Sequence, residues 1–130
     1  MIYLLDTNAI SRYLGKRPSS VKERLEAQPR IFLATSTIVE AELYFGAIKG
    51  SSEIRTPLRR FLSGINILPF SSDAALRYGH IRTDLETNGE VIGGNDLLIG
   101  ATALAHDLTL VTHNTGEFSR VPGLRVEDWE

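Results

Sequence analysis

The chain has no cysteine among its 130 residues. That absence excludes a disulfide framework, a zinc–thiolate centre and a thiol nucleophile, and it suits a reducing cytoplasm. No stretch approaches the roughly 20 apolar residues of a membrane span, and the N-terminus lacks the basic start and long apolar run of a signal peptide. A large positive charge is also missing. Fourteen Lys and Arg against 16 Asp and Glu leave a net charge of −2, which argues against a protein that coats nucleic acid indiscriminately. The charge is unevenly spread, however. Residues 1–65 hold ten Lys/Arg and six Asp/Glu, and residues 66–130 hold four and ten. A basic surface for a polyanion fits this asymmetry, and so do ordinary solvated helix faces.

What is present is a soluble globular composition, 42% apolar and 23% charged, of a length that makes one domain over 1–130. Apolar, β-branched runs at 2–5, 31–35, 66–70 and 108–112 read as buried strands of parallel type, with 124–128 a weaker edge strand. Helical patterns fill the gaps. Pro18 suits a first helical turn ahead of Val21 and Leu25. Thr37 and Glu40 have capping-box spacing before Leu43. Ile54, Leu58, Phe61 and Leu62 form one stripe over 52–63, and the Gly/Ser-rich stretch 49–53 reads as a loop. Ser71 or Ser72 caps a long helix with Ala74, Tyr78, Ile81 and Leu85 on one face, closed by Asn88-Gly89. Asn95 caps a helix over 96–105 that is apolar nearly all round. This alternation predicts an α/β fold around a mostly parallel sheet of four to five strands with right-handed crossovers.

Three acidic residues stand apart. Asp6 ends the first strand, where capping a helix and serving a site explain it equally well. Glu42 sits in an apolar turn, about 200° around its helix from Glu40 at 100° per residue. Asp96 is the only charged residue between Val91 and Ala105, and a charge at the head of a buried helix is costly without a partner. In open parallel sheets the ligand crevice lies outside the carboxyl ends of the strands. The topology brings Asp6, Glu42, Asp96 and the segment Thr112-His113-Asn114 to that rim. Converging carboxylates need a cation between them. With no Cys and no His in the set, hard oxygen ligands favour Mg²⁺ or Mn²⁺ over zinc. A cation so placed binds a phosphate oxygen and lowers the pKa of an attacking water.

The segments "LLDTNAIS", "TIVEAELYFG" and "GGNDLLIGATALAHDLTLVTHNTGEFSRVPGLRVEDW" together resemble the PIN-domain proteins, specifically the VapC-type toxin ribonucleases of toxin–antitoxin modules. The resemblance spans essentially the whole chain. It implies an often dimeric, three-layer α/β/α domain that cleaves RNA, tRNA or ribosomal RNA among them, with Mg²⁺ or Mn²⁺. It also implies a VapB-type antitoxin whose C-terminal segment covers the groove. Asp6, Glu42 and Asp96 match the family's acidic ligand positions. The fourth position, usually an acid after strand four, is Asn114 here, with Glu117 next in line. Thr7, Asn8 and Thr112 flank the ligands. Arg12, Lys16 and Arg17, just past the Asp6 loop, are the candidates for contacts to the RNA backbone, ahead of Arg55, Arg59 and Arg60. His80 and His113 read as structural or surface residues.

Other classes fit less well. A structure-specific DNA nuclease shares the chemistry, but the chain has no room for clamping insertions. A haloacid-dehalogenase-type phosphatase wants an acid at position 8, which is Asn. A receiver-like signalling module needs an Asp ending strand three and a Lys ending strand five, and no Lys follows Lys49.

Overall fold

The computed structural model describes residues 2–50 and 52–130. Five strands, β1 (Tyr3–Leu5), β2 (Leu33–Ser36), β3 (Asn66–Leu68), β4 (Thr109–Val111) and β5 (Val126–Glu127), form one sheet in the order β3-β2-β1-β4-β5. Every neighbouring pair is parallel. The helices are α1 (Thr7–Leu14), α2 (Ser20–Glu26), α3 (Thr37–Lys49), α4 (Arg55–Ser63), α5 (Ser72–Thr87), α6 (Gly94–Ala105) and α7 (Thr115–Phe118).

Strand order and handedness place the layers. The chain steps outward from β1 through β2 to β3, then crosses back over the sheet to β4 and β5. Parallel crossovers are right-handed almost without exception. α1–α4 therefore cover one face, and α5 and α6 cover the other. The sense of winding reverses between β1 and β4, where a crevice opens at the carboxyl ends of these two adjacent strands. β1 is central, and Leu4, Leu5, Leu33, Leu110 and Ile99 are fully buried around it. α6 is apolar all round because it is sunk between the sheet and α5, with Leu97, Ile99, Ala101 and Ala103 buried. No helix among the described residues is long and apolar enough to cross a membrane.

Local departures from the sequence reading have simple causes. β2 begins at Leu33, since Ile31 and Phe32 form a 3-10 turn and are 71% and 37% exposed. The cap of α3 is Ser36, whose hydroxyl accepts from Val39 N at 3.1 Å. Thr37 is already helical, so Glu40 lies one residue too far on for a capping box. Ser19 caps α2, leaving Pro18 outside it. The 52–63 stripe splits into a 3-10 turn (Ser52–Ile54) and α4. Position 51 of the expected 49–53 loop lies outside the described residues. α5 is as expected, capped by Ser71 and terminated through Gly89 at φ +67°, a conformation that glycine adopts at no steric cost.

Candidate active site

Asp6 follows β1 directly and Thr112 follows β4 directly, so parallel pairing of the two strands sets them side by side. Asp6 N donates to Val111 O at 2.9 Å. Asp6 is 4% exposed. Its Oδ1 accepts from Thr7 N at 2.8 Å. Its Oδ2 accepts from Thr112 Oγ1 at 2.6 Å and from Asn8 Nδ2 at 3.1 Å. Asp6 is thus both the N-cap residue of α1 and a member of the crevice. Burial pushes its carboxyl above the usual range, the Glu42 charge adds to this, and the three hydrogen bonds oppose it.

Glu42 reaches the same place from the second turn of α3. Its Oε1 accepts from Thr7 Oγ1 at 2.6 Å and its Oε2 from Asn95 Nδ2 at 3.4 Å. Asn95 does not cap α6. The helix starts earlier, after Gly93, and the Asn95 side chain is turned toward Glu42 instead.

Asp96, in the first turn of α6, faces Asp6, Glu42 and Glu117. Burial first, then Glu117, Asp6 and Glu42, push its carboxyl up to about 7. Glu117, in the short helix α7, is held below its ordinary value by hydrogen bonding with Asp96 and Asn114. The two carboxyls are thus pushed in opposite directions, Asp96 up and Glu117 down. Asn114 Nδ2 donates to Asp96 Oδ2 at 3.1 Å and to Glu117 Oε2 at 2.8 Å. Asn114 therefore faces the carboxylates through its donating end and makes no side-chain cap to α7. The fourth acidic group in the crevice is Glu117.

Among the described residues no Lys or Arg forms an ion pair with Asp6, Glu42 or Asp96. Four carboxyl groups thus meet at the crevice, Asp6 and Asp96 partly desolvated, and the charge of Arg120 helps to hold Glu117 ionised. This oxygen-only donor set suits a hard divalent cation. The oxygens of Asp6, Glu42 and Asp96 do not all lie within 4.8 Å of one another. The one described group that does is His113, Asp128 and Glu130. Those three are exposed and already paired with one another, and Glu130 also with Arg12.

A model of the PIN domain matches residues 3–124. Ribonuclease VapC2 of Rickettsia felis is 42% identical over 133 residues, spanning 100% of this chain and 99% of that protein. The chain belongs to the PIN-domain family, in its VapC branch. The tRNA(fMet)-specific endonuclease VapC of Shigella flexneri is 36% identical, over 98% of this chain and 97% of that protein. Among solved structures, VapBC2 from Rickettsia felis bound to a DNA fragment from its promoter superposes with a TM-score of 0.90 at 42% identity, covering 100% of both chains.

Within this PIN domain the expected flanking residues divide cleanly. Thr7, Asn8 and Thr112 bond the carboxylates directly. Arg12, Lys16 and Arg17 line a cleft that also contains Asn8. Arg55, Arg59 and Arg60 are exposed on α4, and His80 is exposed on α5. His113 turns away from the carboxylates toward Asp128 and Glu130. Asn95 was missed as a site residue. Its signal was available, an amide placed directly before the lone charge of an apolar helix, but the cap reading absorbed it.

Proposed function

We propose that the protein is a divalent-metal-dependent endoribonuclease, the toxin of a type II toxin–antitoxin module, held in check by a VapB-type antitoxin. The observation that carries this reading is the convergence of Asp6, Glu42, Asp96 and Glu117 at the β1–β4 crevice in a chain of the VapC branch. Mg²⁺ or Mn²⁺ bound there would supply a Lewis acid that polarises the scissile phosphate and lowers the pKa of a water. Asp6, Glu42 and Asp96 would hold the cation, with Glu117 in the fourth position. Thr112, Asn8 and the Thr7 amide fix the Asp6 carboxylate by three hydrogen bonds, so its orientation is set before substrate arrives. Thr7 Oγ1 does the same for Glu42.

A structured RNA such as a tRNA is the proposed substrate, supported by the relative named for tRNA(fMet). An apolar cleft of about 370 Å³ between α1, α3 and α4, lined by Leu14, Leu43, Ala47 and Leu58, opens onto Thr7 and Glu42. A segment of the antitoxin lying there would cover the crevice. The proposal includes a cytoplasmic homodimer.

Incubation with RNA and with double-stranded DNA in Mn²⁺ or in EDTA tests the reading. RNA should be cut only with the metal, and its products should carry 5′-phosphate and 3′-hydroxyl ends. Attack of water on phosphorus expels O3′ and leaves the 2′-hydroxyl out of the reaction. Products with 2′,3′-cyclic phosphates would refute this chemistry, and preferential cleavage of the duplex DNA would refute the substrate class. A paired test uses the two glutamates of α3. Glu42→Gln should be inactive. Glu40→Gln caps nothing, and should keep wild-type activity and a stability within about 0.5 kcal/mol of it. The opposite pattern would put the wrong glutamate in the crevice.

A further inference from the structure

The segment that follows β5 folds back onto α1 and ends beside the crevice. Trp129 fixes it there. The indole is 2% exposed. It meets Tyr3 edge-on at 5.0 Å, lies under the Arg24 guanidinium at 5.1 Å, and its carbonyl accepts from Ser20 Oγ at 2.7 Å. Glu130 is held by this anchor. Its Oε1 forms an ion pair with Arg12, 2.7 Å from Nε, and its Oε2 lies 2.9 Å from His113 Nδ1. Both carboxylate oxygens are thus engaged by groups flanking the site.

The same place is a cleft of about 530 Å³, lined by Asn8, Ser11, Arg12, Lys16, Arg17 and Glu130. Asn8 belongs to both neighbourhoods. Its Nδ2 donates to Asp6 and to Thr112, and its Oδ1 accepts from His113 N at 3.0 Å. One side chain therefore separates the Asp6 carboxylate from three cationic side chains. A carboxylate gripped by a guanidinium, in a cleft with two further cations, presents its oxygens as a phosphodiester would, and guanidinium groups bind both in the same way.

The geometry points to a subsite for a backbone phosphate of the RNA strand, formed by Arg12, Lys16 and Arg17 and occupied in the free protein by the Glu130 side chain. This inference rests on the ribonuclease reading for its ligand and adds to it a competitor carried by the chain itself. RNA must displace Glu130 from Arg12 before the strand lies fully along the cleft. The displacement is within easy reach, because the Arg12 side chain is 52% exposed and so open an ion pair shifts an equilibrium only about 1.5- to 5-fold.

Anisotropy of a short fluorescein-labelled single-stranded RNA tests this, in EDTA and again in Mg²⁺ in an Asp96→Asn background, so that the strand stays uncut. Glu130→Gln keeps the side chain's length and removes its charge, and should tighten binding about two- to fivefold. Arg12→Gln should weaken binding and reduce the slope of log K against log salt by about 0.7, the share of one phosphate contact on a single strand. In the double variant the tightening should vanish, since there is no guanidinium left to release. Equal affinity of wild type and Glu130→Gln, at matching melting temperatures, overturns the proposal. So does a gain of equal size in the Arg12→Gln background, which would reduce Glu130 to general repulsion. The underlying reading fails separately, as absence of RNA cleavage by the wild type in Mn²⁺; the subsite is decided by the affinities alone.

Discussion

Asp96→Asn is expected to abolish RNA cleavage and, at neutral pH, to raise the melting temperature of the metal-free protein. The loss of activity follows from the proposed role of Asp96 as an anionic metal ligand. Divalent-ion affinity should fall by more than the roughly 10–100-fold that loss of an outer partner of a metal ligand costs. The gain in stability follows from the crowding of carboxylates. The folded-state pKa of Asp96 is raised to about 7 by burial and by Glu117, Asp6 and Glu42. An acid whose pKa rises on folding favours the folded state most at low pH, where it is neutral in both states. That advantage is lost as pH climbs from its unfolded value near 4 to about 7. The neutral amide has no such slope. Variant and wild type should therefore melt alike near pH 4 and diverge as pH rises to 7, with the variant higher. Asp6→Asn should be equally inactive but less stable, since both Asp6 oxygens accept hydrogen bonds and an amide turns one acceptor into a donor facing donors, at about 1–3 kcal/mol. Melting curves across pH with EDTA, beside a cleavage assay in Mn²⁺, check all three statements. Residual wild-type activity in Asp96→Asn, or a melting temperature below wild type at pH 7, would contradict this account of the site.

The second large effect concerns stability alone. Trp129→Ala removes the largest fully buried side chain of the protein, together with its ring contact to Tyr3 and the hydrogen bond from Nε1 to Glu127 Oε1 at 3.0 Å. Aromatic-to-alanine changes in a packed core cost about 3–5 kcal/mol, which for a domain of this size lowers the melting temperature by roughly 10–20 °C. Trp129→Phe keeps most of the apolar burial and should fall between the two. Denaturant unfolding measures both. A loss below about 1 kcal/mol for the alanine variant would mean that the segment after β5 is not docked as described.

Much of this arrangement could be read from the chain before any coordinates. The end of β1 at Leu5 is legible because a short apolar run stops abruptly on Asp6, and Asp96 because a lone charge opens an apolar helix; the fourth strand, expected over 108–112, ends one residue earlier, at Val111. What escaped was decided over distance. Ile31 and Phe32 continue the apolar run into β2, yet the 3-10 turn starting from Pro29 carries them to the surface. Ser36 and Thr37 are equally good caps in isolation, and the length of β2 chooses between them. Glu117 stands second to Asn114 for the fourth position in the sequence, and the placement of α7 beside the head of α6 decides between them by bringing its carboxylate to Asp96. α1 is hard to read because the polar run Asp6-Thr7-Asn8 breaks the apolar pattern ahead of Ala9 and Ile10, which are the buried face of the helix.

The central position of β1 governs when, in the course of folding, a crevice can exist at all. Asp6 and its partner Thr112 are 106 positions apart and meet only when β4 pairs beside β1. The first three strands with α1–α4 can associate through nearer contacts, and that portion contains Asp6 and Glu42 alone. Asp96 and Glu117 join only after the crossover of α5 and α6 has been laid down and β4 has docked, a contact of long sequence separation and therefore a late and slow one. A partly folded chain accordingly has half of its acidic cluster, and the competence to cut arises in a single final step.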